Sequence, residues 1–366
     1  MTMKPGDLHF SLFPAGGVET ASSRLRVYGL QCALERKGVQ STLGYSAGAN
    51  VLLFQKKVTH ETIRQARRAK ARGRVVIYDV DDLGKALWYW VSKSHFLRML
   101  RLADVVTTCS EALVAHLKSD YGVRNGVVVP NAVDYFPLAP VRVPLRQQGP
   151  FRIVWYGNSS NFVLFEKYLG TLRDVPDVEI IAVVDARSIA KFSANHPDVK
   201  FMPWSLCGMI SILQSCDLAC LTHEGEVEAC AKGNNKMTVA ITWGVPAVVS
   251  RTPEYELTAR EAGVEYAVFS NEKELILAID RLRTVTAREQ YLDMAQMRIW
   301  SRYAPDVIAQ QYIDLAEEAI HQRVVRRMAG RIMGWLSSFP GHALSSLLKR
   351  QSLLAVVSPS SLIQNS

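Results

Sequence analysis

Residues 216–250 read CDLACLTHEGEVEACAKGNNKMTVAITWGVPAVVS. Leu218 to Thr222 is a short apolar run, predicted as a buried strand. An acidic loop carrying Glu224, Glu226 and Glu228 follows and ends in Lys232-Gly-Asn-Asn-Lys236. An apolar helix from about Met237 to Trp243, closed by Gly244, leads into a second buried strand from Pro246 to Val249. Strand, loop, helix and strand in that order belong to parallel α/β architecture. The loop sets two lysines and two asparagines at the first turn of the helix. Unpaired N–H groups and partial positive charge gather there, so a phosphate or diphosphate is the natural ligand. The plainer alternative is a helix capped by Asn234 with solvated lysines.

The same rhythm extends in both directions. Strands are expected at Leu8–Phe13, Val51–Gln55, Arg74–Asp79, Asp104–Thr108 and Gly126–Val129. Helices are expected between them at about Thr20–Arg36, Thr59–Ala71 and Ala86–Leu102, with another capped by Ser110. Residues 134–150 interrupt this pattern with a proline-rich stretch that lacks amphipathic period, as an interdomain linker would. Strand and helix alternation resumes at Phe151 with RIVWYGNSSNF. Further strands are expected at Glu179–Val184, Lys200–Met202, Asp217–Thr222, Ala247–Ser250 and Tyr266–Phe269. The chain thus divides into two doubly wound units, 1–134 and 151–303, joined by 135–150. A crossover helix at 304–321 and a basic amphipathic tail at 322–366 follow.

Composition narrows the function classes. A 366-residue chain that is 48% hydrophobic fills two ordinary cores. No run of 18 or more apolar residues is present to span a membrane, and MTMKPGDLHFSLF lacks the features of a signal peptide. The six cysteines show neither CxxC pairs nor zinc spacing, which suits reduced thiols in a cytoplasmic protein. The net charge of +9 is unevenly spread: residues 322–366 hold six basic side chains and no acidic one. A second basic run covers Arg64 to Arg74. No nucleic-acid-binding motif accompanies either run, so a nucleic-acid partner is not expected.

Two Rossmann-like units facing a cleft, with a phosphate-type loop in the second, resemble the GT-B glycosyltransferases. More specifically, the chain looks like the retaining family 4 type, which uses nucleotide sugars. The resemblance covers about residues 8–320. It rests on ASSRLRVYGLQCAL behind Pro14-Ala-Gly-Gly17, on VVIYDVDDL, and on VVTTCSEALVAHLKSDYGVRNGVVVPNAVD. RIVWYGN and KGNNKMTVAITWGVPAVVS complete the series in the family's order. Departures are clear. The family's paired glutamates fall on Ala231 and Val239, and its arginine after the glycine of the first nucleotide-domain strand is Asn158. Lys232 and Lys236 stand as substitutes for the missing basic pair.

This resemblance implies transfer of a sugar from a nucleotide-diphosphate donor to a glycan or lipid-linked acceptor, with retention, in surface polysaccharide or glycoconjugate assembly. It implies no metal and no cofactor beyond the donor substrate. Donor binding would fall to Gly16, Gly17, Arg24, Gly157, Asn158, Lys232, Asn234, Asn235 and Lys236, with Arg26 beside Arg24. Chemistry and acceptor binding would fall to Asp79, Asp81 and Asp82 at a strand end, and to Glu224, Glu226 and Glu228. Three carboxylates so close together are also compatible with Mg²⁺ or Mn²⁺, or with loop capping. His223, beside the sugar loop, is the histidine to test.

A non-catalytic sugar-nucleotide or glycan-binding protein and a sugar-nucleotide epimerase are the alternatives on the same fold. In the tail, Arg323, Arg327 and Arg331 recur at helical spacing beside Val324, Met328, Ile332, Trp335 and Leu336. Residues 323–336 therefore suit an anionic membrane surface, at the inner face of the membrane, or packing against the protein.

Overall fold

The computed structural model describes residues 7–223 and 231–337. Twelve strands form two six-stranded sheets in which every neighbouring pair is parallel. The first contains β1 (His9–Phe13), β2 (Gln40–Leu43), β3 (Val51–Gln55), β4 (Val75–Val80), β5 (Val105–Thr108) and β6 (Gly126–Val128). Its spatial order is β2-β1-β3-β4-β5-β6. The second contains β7 (Phe151–Tyr156), β8 (Val178–Val184), β9 (Val199–Pro203), β10 (Leu218–Leu221), β11 (Ala247–Ser250) and β12 (Val268–Phe269). Its order is β12-β11-β10-β7-β8-β9. Continuous apolar strands such as VLLFQ and VVIYDV are buried along their whole length, as parallel strands covered on both faces must be. In both sheets chain order reverses beside the first strand, between β1 and β3 and between β7 and β10. A crevice opens at such a point beyond the carboxyl ends of the strands.

Three local departures from the sequence reading have physical causes. Strand β2 was not expected: QSTL is polar and lies half exposed at the sheet edge, so no apolar run marks it. The helix expected over 86–102 is two, Gly84–Trp88 and Lys93–Leu102. Ser92 starts the second by accepting from the His95 N–H. The first helix contains a π-turn at Arg24–Tyr28 between Ala21–Ser23 and Gly29–Arg36. Its wider turn crowds Gly29, where a Cβ would sit 3.1 Å from the Arg24 carbonyl.

That π-turn directs two arginines into the protein. Arg26 is 1% exposed and grips Asp79 through Nη2–Oδ1 at 2.5 Å and Nε–Oδ2 at 3.1 Å. Its Nη1 donates to the Val129 carbonyl at 2.5 Å and to the Pro130 carbonyl at 3.1 Å. Thr107 Oγ1 and Tyr312 Oη also donate to Asp79, at 2.6 and 3.1 Å. Burial opposes the Arg26 charge, yet Asp79 holds its pKa above the ordinary value. Arg24 is likewise buried and makes two 2.8 Å bonds to Asp134, at the start of the connection between the sheets. Burial works against this guanidinium too, and the Asp134 bonds outweigh it, so its pKa is raised.

The connection then lies along the second sheet's helix Asn235–Thr242, with the Val141 N–H donating to the Thr242 carbonyl at 2.8 Å. Gly244 follows with φ of 85°, and a Cβ there would stand 2.8 Å from the Val141 oxygen, so glycine is required on both counts. The last helix, Pro305–Ser337, begins against the first sheet's helices through Arg36–Asp306 and Lys37–Gln310. It runs on without a break at 321; a second compact unit begins at Glu318.

Asp79 is therefore a buried structural carboxylate and not one of the groups that face a substrate. Asp79→Ala should destabilise the protein by about 3–5 kcal/mol in urea unfolding, because it strands the Arg26 charge. A change below about 1 kcal/mol would contradict that role.

Candidate active site

Beyond the carboxyl ends of both sheets lies a cavity of about 490 Å³, lined from both sides. The second sheet supplies Gly157 and Asn158 after β7, Asp185 after β8, and His223 after β10. Lys232, Gly233, Asn235 and Lys236 add the loop and the first turn of the following helix. The first sheet supplies Glu19 to Ser22, Arg24, Asp81, Asp82 and Cys109. Asn131, Asp134 and Tyr135 come from the start of the connection. Gly233 approaches the first sheet closely: a Cβ there would lie 2.6 Å from Asn131 Nδ2 and 3.5 Å from Cys109 Cβ. Ser110 Oγ donates to the Ala231 carbonyl at 2.7 Å, which ties the loop to the opposite wall.

Lys236 is the electrostatic centre of the cavity. Its Nζ is enclosed, finds no hydrogen-bond partner among the described residues, and sits 5.3 Å over the Trp155 ring. Burial, and then repulsion from Lys232, lower its pKa to about 7. An unpaired buried ammonium is costly, and this one belongs to a residue that lines the cavity at a helix N-terminus, where an anion would complete it. Gly157 makes room for that ammonium: a Cβ would meet Lys236 Nζ at 2.8 Å and the Trp155 ring at 3.2 Å. His223 stands alongside, stacked on Tyr255 with its Nδ1 unpartnered among the described residues. Burial and the charges of Lys236 and Lys232 push its pKa well below the ordinary value, so it is neutral at pH 7.

Asp81 and Asp82 face the cavity from the first sheet because they follow the end of β4, whereas Asp79 still lies within it. Both flank Lys56, whose Nζ donates to Asp82 Oδ2 at 2.5 Å and to Ser22 Oγ at 2.8 Å. Asp81 Oδ1 lies 3.1 Å from the same nitrogen as an ion pair without hydrogen-bond alignment. Burial raises the Asp81 pKa to about 6, against the pull of Lys56. Lys56 has φ of 44°, a left-handed backbone that few lysines adopt, at the switch point between β1 and β3. It also lies 5.8 Å from the Trp90 ring. Among the described residues no cluster of three or more His, Cys, Asp or Glu side chains has the arrangement of a metal site.

The other residues singled out in the sequence divide sharply. Arg24 borders the cavity, but its guanidinium is spent on Asp134, on the Val18 carbonyl and on the faces of Tyr135 and Trp204. Neither a solvated helix face nor a free diphosphate ligand describes it. Asn234 is buried away from the cavity: its Nδ2 donates to Thr258 at 2.6 Å, and its side chain makes no helix cap. Asn158 borders the cavity while its Oδ1 caps the short helix Ser159–Asn161. Gly16 and Gly17 are not among the lining residues; Gly16 is held by Ser23 and crowded by Thr20. Glu224, Glu226 and Glu228 lie outside the described residues. Sequence reasoning missed Lys56, Asp134, Tyr135 and Trp204. The signal for Lys56 was its position directly after a fully buried strand at a reversal of chain order.

No protein-family model matches the chain, and no curated protein matches it in sequence. Among solved structures it is similar to a glycosyltransferase from Rickettsia africae ESF-5, with 11% identity and a TM-score of 0.62 over 86% of this chain and 98% of that one. It is also similar to HepE from Anabaena in complex with UDP and glucose, with 13% identity and a TM-score of 0.59 over 85% and 100%. An α-glucosyltransferase in complex with UDP and a 13-mer DNA containing an HMU base matches at 10% identity and a TM-score of 0.62, over 84% and 99%. The chain has the GT-B fold. In this fold the cavity described above is the cleft between the two Rossmann-like sheets.

Lys236 generates a stability prediction whose sign follows from its depressed pKa. Between about pH 7 and 10.5 the unfolded chain holds a proton that the folded chain lacks, so stability rises with pH across that window and is lowest below it. Lys236→Met should stabilise the free protein by roughly 1–3 kcal/mol at pH 7, and by less at pH 9.5, in thermal unfolding. A destabilised variant would contradict an unpaired ammonium.

Proposed function

We propose that this protein is a glycosyltransferase that moves a sugar from a nucleotide diphosphate to a glycan or lipid-linked acceptor. The observation that carries the reading is the Lys236 ammonium, without a hydrogen-bond partner among the described residues, at a helix N-terminus on the wall of the interdomain cavity. Sugar transfer builds negative charge on the departing diphosphate, and a preorganised cation is most valuable where that charge appears. Lys232, Lys236 and the N–H groups at Asn235 would receive it. Neutral His223 would hydrogen-bond a donor hydroxyl, and Asp81 and Asp82 would bind the acceptor hydroxyl across the cavity, with Lys56 fixing their positions. The family 4 likeness, the retaining course, and a place in polysaccharide or glycoconjugate assembly at the cytoplasmic side of a membrane belong to this reading. Neither a metal nor a cofactor is part of it, and nucleic acid is not its acceptor. The apolar Val324, Val325 and Met328 are exposed on the last helix, which supports membrane contact through 323–336; no described helix is long and apolar enough to cross a membrane.

A second reading is a non-catalytic sugar-nucleotide binder. It is favoured by Val239, which borders the cavity where the resembling family carries a glutamate. Donor turnover separates the two.

Calorimetry with UDP and GDP should detect binding accompanied by proton uptake near pH 8, as the diphosphate restores the Lys236 charge. Replacing Lys232 and Lys236 with alanine should weaken that binding by about 1.5–3 kcal/mol per charged hydrogen bond lost. Unchanged affinity would remove the assignment. Asp81→Asn and Asp82→Asn should slow transfer, measured as diphosphate release with acceptor present, while nucleotide affinity stays within about twofold.

A further inference from the structure

We propose that the outer face of two neighbouring helices of the first sheet, His60–Ala71 and Lys93–Leu102, is a docking surface for an anionic lipid bilayer. The two helices cross over consecutively, from β3 to β4 and from β4 to β5. They pack together, with the His60 and His95 rings meeting at 4.5 Å. Between them they carry seven Lys or Arg and one acidic residue, Glu61. Apolar positions 63, 66 and 69 of the first helix and 96, 99 and 100 of the second turn inward and are buried. The helical period therefore directs the cations outward. Arg67, Arg68, Lys93, Arg98 and Arg101 are exposed and, among the described residues, have no ion-pair partner. This is not the ordinary surface of the protein: helices Pro253–Ala262 and Glu272–Arg281 of the second sheet mix both signs of charge.

Exposed aromatic residues select the partner. Tyr89 is 80% exposed and Trp88 is 38% exposed. Trp88 is anchored edge-on against Phe96 of the basic helix, at 5.5 Å. Amphipathic rings beside a cationic face suit the bilayer interface, where the rings enter the headgroup layer and the cations meet anionic lipid. A broad two-helix face also matches a planar surface better than a duplex groove, which takes one inserted helix or ribbon. Both helices begin at the end of the sheet where Asp81 and Asp82 face the cavity. A bilayer on this face would therefore run beside the cavity mouth. This surface is distinct from the cavity and does not depend on the nucleotide assignment.

The test is sedimentation of the full-length protein with phosphatidylcholine vesicles, with and without about 30% phosphatidylglycerol. Binding should require the anionic lipid and fall as sodium chloride rises from about 0.1 to 0.5 M. The variant R67E/R68E/R98E/R101E should bind at least about tenfold more weakly. The neutral variant R67S/R68S/R98S/R101S should fall between it and the parent. Unchanged circular dichroism and thermal unfolding in both variants would show that the fold is intact. Reversing the tail instead, in R323E/R326E/R327E/R331E, should leave most of the binding in place. Parent-like sedimentation of both patch variants, equal binding to neutral vesicles, or loss of binding only in the tail variant would overturn the proposal. So would patch-dependent binding to duplex DNA without binding to anionic vesicles, which would assign the face to nucleic acid.

Discussion

The cavity depends on two arginines that one π-turn directs inward. Arg24 and Arg26 lie two residues apart, yet one binds Asp134 at the start of the connection and the other binds Asp79 in β4. A buried ion pair does not stabilise a protein strongly by itself, because desolvation consumes most of the Coulomb gain. Its value here is positional. Arg26 also takes the Val129 and Pro130 carbonyls, and Tyr312 of the last helix reaches the same Asp79 oxygen. Four parts of the chain remote in sequence thus meet on one guanidinium–carboxylate pair. Removing either partner leaves the other charge buried, so the arrangement is held in one geometry.

Most of the fold was legible because buried parallel strands are continuous apolar runs, and eleven of the twelve were anticipated in position. The exception, Gln40–Leu43, is a polar edge strand fixed by its register with β1, which no local pattern records. Site residues were legible only in part. Lys232, Asn235 and Lys236 line the cavity, and they stand out in sequence because a helix start after a buried strand has a physical meaning for anions. Asp79, Asp81 and Asp82 look alike in sequence. One lies within the last residues of a strand and two lie beyond it, and that short distance separates a core ion pair from a cavity wall. Arg24 and Asn234 were misjudged for the same reason: their partners, Asp134 and Thr258, are 110 and 24 residues away.

Two lysines show opposite solutions to burial. Lys56 is surrounded by Asp81, Asp82 and Ser22, which hold its charge in place and its pKa up despite desolvation. Among the described residues Lys236 has an aromatic face and a like-charged neighbour, and its pKa falls. A fold keeps such a group at a cost to stability, and an anion in the cavity would offset that cost. Perturbed ionisation beside a strand switch point, in a cleft lined from two sheets, is the pattern expected of a working site.

The most direct test of this account is the titration of Lys236 itself, followed by NMR of its side-chain Cε and Nζ in the free protein and with UDP. The account predicts a pKa near 7 in the free protein and an upward shift of one unit or more, roughly 1.4 kcal/mol, once the diphosphate is bound. A lysine that titrates at its ordinary value in the free protein and does not respond to UDP would contradict it.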